Sequence, residues 1–535
     1  MTTKNDIENI WFVTREYGSL AGAGGVKDVA KQLAEALVKA KKKVRVVLPA
    51  YGFIDPTSLG YTQTAIRFQV DMSYVQEERR EFVSIWHKKD KADIYLIDSP
   101  RFAEKSGIYA YTLDEEKQNP HHLQGNGHYD YFAMNMLLQK AAICLIITLD
   151  QKPDIIHCHD GHTALIPPMI REIEGFRHYF KNTGCVVTIH NAGIGYHQEV
   201  ADLDFAQTIS GLPASLIKAN LLALAFDPLL TASTYAVMNT VSENYARELR
   251  ETDSDELTGR LGHTLLQRGV SLEGVTNGID PEDFNLNKYK ALGLPCSFNP
   301  GAPLDEACSG KTQCRKTLCE ELNSTKPIPG IQRTGTLDFQ PNQPLFTFIG
   351  RFSVQKGVDK MIEALKNLLP IDLDFQILIL GSGQKKIEES LISLARLKRN
   401  KGRVCVLRGF SPIWANKIYA AGDFFLIPSQ YEPCGLTDFI AQLFGNLPIV
   451  HHTGGLVKVI DGKTGFAFQQ HTGNALVKTM KQAIQTYRTS QPTISLMRKE
   501  AIQLIHDKYT WDKVMARYLK LYSKALTSLA KVSKH

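Results

Sequence analysis

Between Pro428 and Gly455 the chain reads PSQYEPCGLTDFIAQLFGNLPIVHHTGG. This pattern combines a strand end, a loop carrying one acid, Glu432, and a helix that opens at Gly435, Leu436 and Thr437, directly after Cys434. A short strand over 447–450 then leads to a glycine pair, Gly454 and Gly455. The first N–H groups of a helix have no intrahelical partners and favour anions. A carboxylate beside such an end suits a site that handles charge and sugar-like hydroxyls together. Upstream, the residues GRFSVQKG at 350–357 follow a strand and open a helix. Arg351 and Lys356, five residues apart, suit a diphosphate, which an arginine grips bidentately and a lysine meets as a point charge. A solvated loop is the plainer alternative. Gly381-Ser382-Gly383 is a further loop that lets backbone approach a ligand, weak by itself.

The first half carries softer signals. Gly22-Ala23-Gly24-Gly25-Val26-Lys27-Asp28 lies between a strand and a helix, where glycines permit close backbone approach and the helix start attracts phosphate. It is a poor dinucleotide fingerprint, because the next strand ends in Pro49-Ala50-Tyr51 rather than in an acid that would hold a ribose. His157-Cys158-His159-Asp160-Gly161-His162 ends another strand. It approaches the HxHxDH pattern of metallo-β-lactamase-like hydrolases, but the aspartate comes one place early. The favoured reading is one imidazole directed at a ligand and the others structural. Thr188-Ile189-His190-Asn191 ends a strand at the same sheet edge, and Asn277-Gly278 has the form of a tight turn.

These residues need a scaffold that presents strand ends. Strands are expected at 10–14, 44–49, 155–158, 185–189 and 237–241, with a helix over 25–40. The pattern then restarts. Strands are expected at 345–349, 375–380, 404–407, 424–428 and 447–450, and helices at 357–368 and 387–397. Strands alternating with helices predict an α/β protein with two Rossmann-like, doubly wound parallel sheets and a ligand cleft between the domains. The expected domains are 1–275, joined by a C-terminal helix at about 510–535, and 276–509. Residues 292–344 read as an insertion holding one helix (312–322) and a long polar loop. The last thirty residues place Trp511, Val514, Met515, Tyr518, Leu519 and Tyr522 at helical spacing, a core-facing stripe.

Composition narrows the function classes. A chain of 535 residues exceeds one core, and 43% hydrophobic with 22% charged residues is ordinary for a globular protein. The net charge of +7 is spread along the chain, with its densest run, KAKKK at 39–43, at a helix end. No basic patch interleaved with aromatics argues for a nucleic-acid partner. The start MTTKNDIEN is polar, unlike a signal peptide, and the longest apolar run, near 141–149, is too short to span a bilayer, so no membrane association is expected. Nine cysteines, an odd number at irregular spacing, fit a reducing cytoplasm, and Cys296, Cys308, Cys314 and Cys319 match no zinc pattern.

With these motifs in order along nearly the whole chain, the sequence resembles the glycogen/starch synthase family of retaining glycosyltransferases. The matching segments are GGxxxDV (24–29), HxHDxH (157–162), TIHN (188–191), NGID (277–280), GRFSVQKG (350–357), and EPCGLT (432–437) with TGGL (453–456). The resemblance implies a two-domain GT-B fold, with a nucleotide sugar, ADP-glucose, on the second domain and an α-glucan acceptor along the first. It implies that the final helix crosses back to the first domain. Arg351 and Lys356 would hold the diphosphate, and Glu432 would face the donor glucose beside the backbone of Cys434, Gly435, Leu436 and Thr437. His162 and Asn277 would contact sugar hydroxyls. Gly24, Gly25 and Asp28 would line the substrate side, with Asp28 near the acceptor. No metal and no cofactor is expected. Four positions depart from the family pattern: Gly22 replaces the lysine of KxGG, Gly161 stands where Trp is common, Phe410 where Tyr is frequent, and His451-His452 where an Arg-containing pair is usual. The rival readings are a same-fold transferase using UDP-glucose or another acceptor, an inactive glucan-binding homologue, and a metallohydrolase built on the histidines.

Overall fold

The computed structural model describes residues 7–302 and 304–532, with 304–308 and 530–532 as backbone. The chain divides into two compact units, one formed by the residues up to Gly278 together with those from Trp511 onward, the other by Ile279–Thr510. Asn277, placed by the sequence reading in the second domain, belongs to the first unit.

The first unit is built on a nine-stranded sheet. Its strands are β1 (Asn9–Val13), β2 (Lys43–Pro49), β3 (Thr62–Asp71), β4 (Arg80–Lys89), β5 (Asp93–Asp98), β6 (Ile155–His159) and β7 (Gly184–Ile189), followed by β10 (Val237–Thr240) and β11 (Leu272–Gly274). A separate hairpin, β8 (Leu221–Leu222) and β9 (Ala225–Phe226), lies in between. The order across the sheet is β11-β10-β7-β6-β1-β2-β5-β4-β3. From β5 to β11 all neighbours are parallel, whereas β3 and β4 add antiparallel ladders. The sheet is therefore mixed rather than purely parallel. The sequence reading missed β3 because it is a two-faced, largely exposed edge strand, TQTAIRFQVD, without the apolar run of a buried parallel strand. The helix Val26–Lys39 buries Val29, Ala30, Leu33, Ala34 and Leu37 on one stripe. The terminal helix Trp511–Val532 packs with this unit: Trp511 Nε1 donates to Gln32 Oε1 at 2.7 Å, and Val514, Tyr518, Leu521 and Tyr522 are buried.

The expectation of a short apolar run near 141–149 needs correction. The helix spans Tyr131–Thr148, and its 18 residues, mean hydropathy 1.5, meet the length and composition for crossing a membrane. In this fold 72% of it is buried, and it packs on β2, β3 and β5, so it serves as a core helix.

The second unit holds a seven-stranded sheet of β12 (Ile331–Gly335), β13 (Leu345–Ile349), β14 (Gln376–Gly381), β15 (Val404–Gly409), β16 (Phe424–Ile427), β17 (Leu447–His451) and β18 (Phe466–Phe468). The order is β12-β15-β14-β13-β16-β17-β18, with β12 antiparallel and the rest parallel. Here the region 292–344 departs from its reading as a polar insertion. The helix runs over Leu304–Asn323, and β12 extends the sheet. Leu318, Cys319 and Leu322 enter a core cluster with Leu345, Leu378 and Leu407. Arg315 is buried against Asp423, which also takes Arg498 Nη2 at 3.0 Å and the Leu345 N–H at 3.0 Å. Charged residues inside this helix masked its apolar stripe, because their partners lie about a hundred residues away.

Candidate active site

Numbered by their place in the chain, the parallel strands of each unit run third-second-first-fourth-fifth-sixth, and in the first unit a seventh follows the sixth. In such a sheet the order reverses between the first and fourth strands, and the loops leaving those two strands flank a crevice at their carboxyl ends. In the second unit these are β13 and β16, and the loops are 350–357 and 428–436. In the first unit they are β1 and β6, and the loops are 14–25 and 160–162. Both crevices carry residues singled out by the sequence.

The second-unit crevice is a site of formal charge. Lys356 Nζ donates to Glu432 Oε2 at 2.6 Å, and Ser429 Oγ donates to the same oxygen at 3.1 Å. The pair is partly buried, the side chains being 24% and 14% exposed. Backbone bonds hold the first loop in place: Gln430 N donates to Gln355 O at 2.8 Å, joining it to the second loop, and Phe352 N donates to Ser382 O at 2.8 Å, joining it to the loop after β14. The second bond gives Gly381-Ser382-Gly383 a structural role, since a Cβ on Gly381 would stand 1.9 Å from the Gly350 carbonyl oxygen. Gly357 combines φ +66° with a Cβ position 1.7 Å from the Pro428 carbonyl oxygen, so only glycine fits where the helix Val358–Leu368 begins. Arg351 is exposed and enters no ion pair among the described residues, leaving its guanidinium outside the Lys356–Glu432 contact.

Glu432 and its neighbours are fixed from behind. Gly455 N donates to the Glu432 carbonyl at 2.9 Å, and a Cβ on Gly454 or Gly455 would lie about 2 Å from the Glu432 or Cys434 carbonyl oxygen. The helix Thr437–Leu443 has Leu436 at its N-cap and no side-chain cap. Lys458, only 6% exposed, gathers this turn: its ammonium donates to the carbonyls of Cys434, Gly435 (2.8 Å) and Gly455 (3.1 Å) and pairs with the buried Asp438 carboxylate at 3.0 Å. Burial pushes the Asp438 carboxyl up, and Lys458 opposes the shift. The sequence reading missed this pair, although Asp438 directly follows the EPCGLT motif. His451 Nδ1 lies 2.8 Å from the Ser429 carbonyl oxygen and ties β17 to the same loop, whereas Phe410 is 72% exposed.

The first-unit crevice is organised by a carboxylate that sequence reasoning also missed. Glu16 is buried, three residues beyond β1. Its Oε2 accepts the Ala23 and Gly24 N–H groups at 2.7 and 2.9 Å, and its Oε1 accepts the Tyr109 hydroxyl at 2.7 Å. Gly24 and Gly25 are exposed, and Asp28 sits in the first helical turn, 3.9 Å from Lys27 Nζ. A Cβ on Gly22 would stand 2.1 Å from Lys27 Cδ, so the lysine chain crosses over that glycine. A buried acid next to a glycine loop at a strand end was the available signal for Glu16. Its partner Tyr109, 93 residues away, was not legible.

The three histidines of 157–162 diverge. His157 bridges Tyr522 Oη at 3.0 Å and Thr188 Oγ1 at 2.7 Å. Because the Thr188 hydroxyl donates onward to Asn239 Oδ1 at 2.8 Å, His157 Nε2 donates and its Nδ1 accepts from Tyr522. His159 Nδ1 meets His190 Nε2 at 2.8 Å. His162 alone lines a cavity, its ring 4.9 Å from that of Tyr109. Burial pushes His157 and His190 down to about 3, and lowers His159 and His162 well below the usual range, so all four are neutral near pH 7. Among the described residues no group of three metal-ligating side chains forms. Asp160, at φ +58°, turns the chain out of β6 and accepts the His190 N–H at 2.6 Å. Gly161 packs against the His197 carbonyl, with a Cβ position 2.1 Å from that oxygen, which leaves no room for a side chain there. Asn277 is buried, and its Oδ1 takes no hydrogen bond among the described residues.

Two nucleotide-type units, each with a switch point, are the architecture of a GT-B glycosyltransferase, and comparison with known proteins places the chain further. A family model described as starch synthase catalytic domain matches residues 9–265, and one described as glycosyl transferases group 1 matches 335–499. The chain is 31% identical over 531 residues to the glycogen synthase of Geotalea daltonii, covering 96% of this chain and 98% of that protein. It is 30% identical over 533 residues to glycogen synthase 2 of Geobacter sulfurreducens, again covering 96% and 98%. The solved catalytic domain of starch synthase IV from Arabidopsis thaliana, bound to ADP and acarbose, shares the fold at TM-score 0.77, covering 97% of this chain and 99% of that one at 23% identity. The chain belongs to the glycogen/starch synthase family of glycosyltransferases.

Proposed function

We propose that the chain transfers glucose, with retention, from ADP-glucose to the non-reducing end of an α-1,4-glucan. The observation that carries this reading is the Lys356–Glu432 pair at the second-unit switch point, which sets a cation and a carboxylate 2.6 Å apart. Cleaving a sugar–diphosphate bond builds negative charge on the leaving group and positive character on the anomeric carbon. Preorganised cations stabilise the first and a carboxylate the second. In this reading Arg351 and Lys356 hold the diphosphate, and Glu432 faces the glucose ring. The backbone of Cys434 to Thr437, braced by Lys458, lines the sugar. His162 and Asn277 serve sugar hydroxyls, and Gly24, Gly25 and Asp28 lie on the substrate side of the first unit. The reaction needs neither metal nor cofactor. The ADP bound to the Arabidopsis starch synthase supports an adenine nucleotide donor here. A reducing cytoplasm fits the thiols, since none of the eight described cysteines forms a disulfide.

Incubation with ADP-glucose or UDP-glucose plus glycogen tests the reading. ADP release with α-1,4 chain extension is expected. Turnover of UDP-glucose alone would transfer the assignment to another donor, and consumption of neither would overturn it.

A further inference from the structure

The strand β17 ends at His451, whose imidazole faces two carbonyl oxygens at once. Nδ1 lies 2.8 Å from the Ser429 carbonyl oxygen, and Nε2 lies 3.2 Å from that of Gln469, just after β18. A carbonyl only accepts, and a neutral imidazole carries one N–H. Burial lowers the His451 pKa, and His471 and His452 lower it further against the pull of the two carbonyls, so the ring is neutral near pH 7. One proton then has two acceptors to choose between. Ser429 is 1% exposed, whereas Gln469 is exposed. A carbonyl withdrawn from water is the costlier one to leave without a donor, and here it also makes the shorter contact. The N–H therefore sits on Nδ1 and donates to Ser429.

That bond leads to the charged crevice. Ser429 Oγ donates to Glu432 Oε2 at 3.1 Å, the oxygen that also takes Lys356 Nζ at 2.6 Å. The residue before Ser429 is held in the same way. His471 Nε2 donates to the Pro428 carbonyl at 2.9 Å, and its ring lies 4.9 Å from that of His451. Two imidazoles thus grip consecutive carbonyls at the start of the loop that carries Glu432. His452 serves other partners, with Nε2 3.3 Å from the Val457 carbonyl oxygen and Nδ1 3.1 Å from Gln469 Nε2.

We propose that His451 is a positioning residue for Glu432: its Nδ1–H fixes the Ser429 backbone so that the Ser429 hydroxyl meets the Glu432 carboxylate. It acts through Ser429, two bonds away from the carboxylate it places. The consequence for turnover rests on the glucan-synthase reading above, whereas the hold on the loop does not.

Side-chain geometry supplies the test. Counted from Cβ, an asparagine nitrogen stands where Nδ1 does and a glutamine nitrogen where Nε2 does. His451→Asn therefore keeps a donor for Ser429, and His451→Gln keeps one only for Gln469. With ADP-glucose and glycogen, kcat should fall about 10- to 100-fold in His451→Gln and His451→Ala, the range for a slightly misplaced reacting group, and stay within about threefold of wild type in His451→Asn. The KM for ADP-glucose should change by less than about threefold in all three, since the hold acts on placement. Amide hydrogen exchange on the full chain without substrate reads the loop itself. The peptide spanning 428–436 should exchange faster in His451→Gln and His451→Ala, and as the wild type does in His451→Asn. A packing role would favour the larger glutamine instead. Equal kcat in His451→Asn and His451→Gln, or wild-type exchange in both His451→Gln and His451→Ala, would overturn the proposal. If the wild type turns over donor while these comparisons fail, this proposal alone falls. If the wild type turns over no donor, the reading above falls, and hydrogen exchange still decides the role of His451.

Discussion

The two switch points use opposite electrostatic means on the same strand order. In the second unit the crevice is lined by ions: Lys356 against Glu432 and, behind them, Lys458 against Asp438. In the first unit four buried histidines are held neutral, Arg15 and Glu16 have their hydrogen bonds met by protein, and the cavity wall is aromatic. Lys356 has a single carboxylate partner and can meet a second anion, whereas neutral imidazoles and tyrosines suit hydroxyl groups. The difference teaches that a shared topology sets where a crevice opens in each unit, and that local charge sets which chemical groups that crevice suits.

The comparison breaks first at Lys458. Lys458→Met strands the buried Asp438 carboxylate and three carbonyl oxygens, so it should lower the unfolding free energy by about 3–5 kcal/mol, read by chemical denaturation. Replacing both partners, with Asp438→Leu added, should recover much of that loss. Equal losses in the single and double variants would show that the pair is not the brace.

The next effect is on turnover. Arg351→Ala, Lys356→Ala and Glu432→Ala should each reduce the rate by roughly 10²–10³ while thermal unfolding stays close to wild type, because in the proposed reaction each removes a charge that serves the transition state. Near-normal rates for all three would erase the contrast between the crevices.

The smallest effect sharpens the other side. His197 is the exception among the first unit's buried histidines near the crevice. Burial lowers its pKa, but the Asp227 carboxylate at 2.7 Å and the Ala192 carbonyl at 2.7 Å outweigh this and raise it. A raised histidine stabilises the fold fully below its unfolded value, about 6.5, and loses that contribution as pH rises through the folded value. The contribution of His197 is therefore read as a difference between proteins: His197→Gln should be less stable than wild type at pH 6 by chemical denaturation, and the gap should narrow toward alkaline pH, whatever the slope set by the four lowered histidines. A gap that does not change with pH would show that the His197–Asp227 pair is not the source.

The second unit's alternation was legible because β13, β14 and β16 are short, apolar and bounded by turn residues. The loops carrying Arg351, Lys356 and Glu432 were legible for the same reason: glycine and proline punctuate them, and Arg351 and Lys356 stand five residues apart, although the contact from Lys356 to Glu432, 76 residues on, was not. What escaped notice depends on distance along the chain. Glu16 finds Tyr109, Arg315 finds Asp423 and Lys458 reaches back to Cys434, and a charged side chain reads as solvated until its partner is known. The strand β3 and the first part of the helix Leu304–Asn323, of which 312–322 was expected, were hidden likewise, the one by an exposed edge and the other by the buried cation Lys311.

The division of labour is tested most directly by measuring, on one set of proteins, nucleotide release from ADP-glucose with glycogen present and maltoheptaose binding without donor. The account predicts that Lys356→Ala and Glu432→Ala lose release by about 10² or more yet bind maltoheptaose as the wild type does. Parallel loss of glucan binding in those variants, or release close to the wild-type rate, would contradict it.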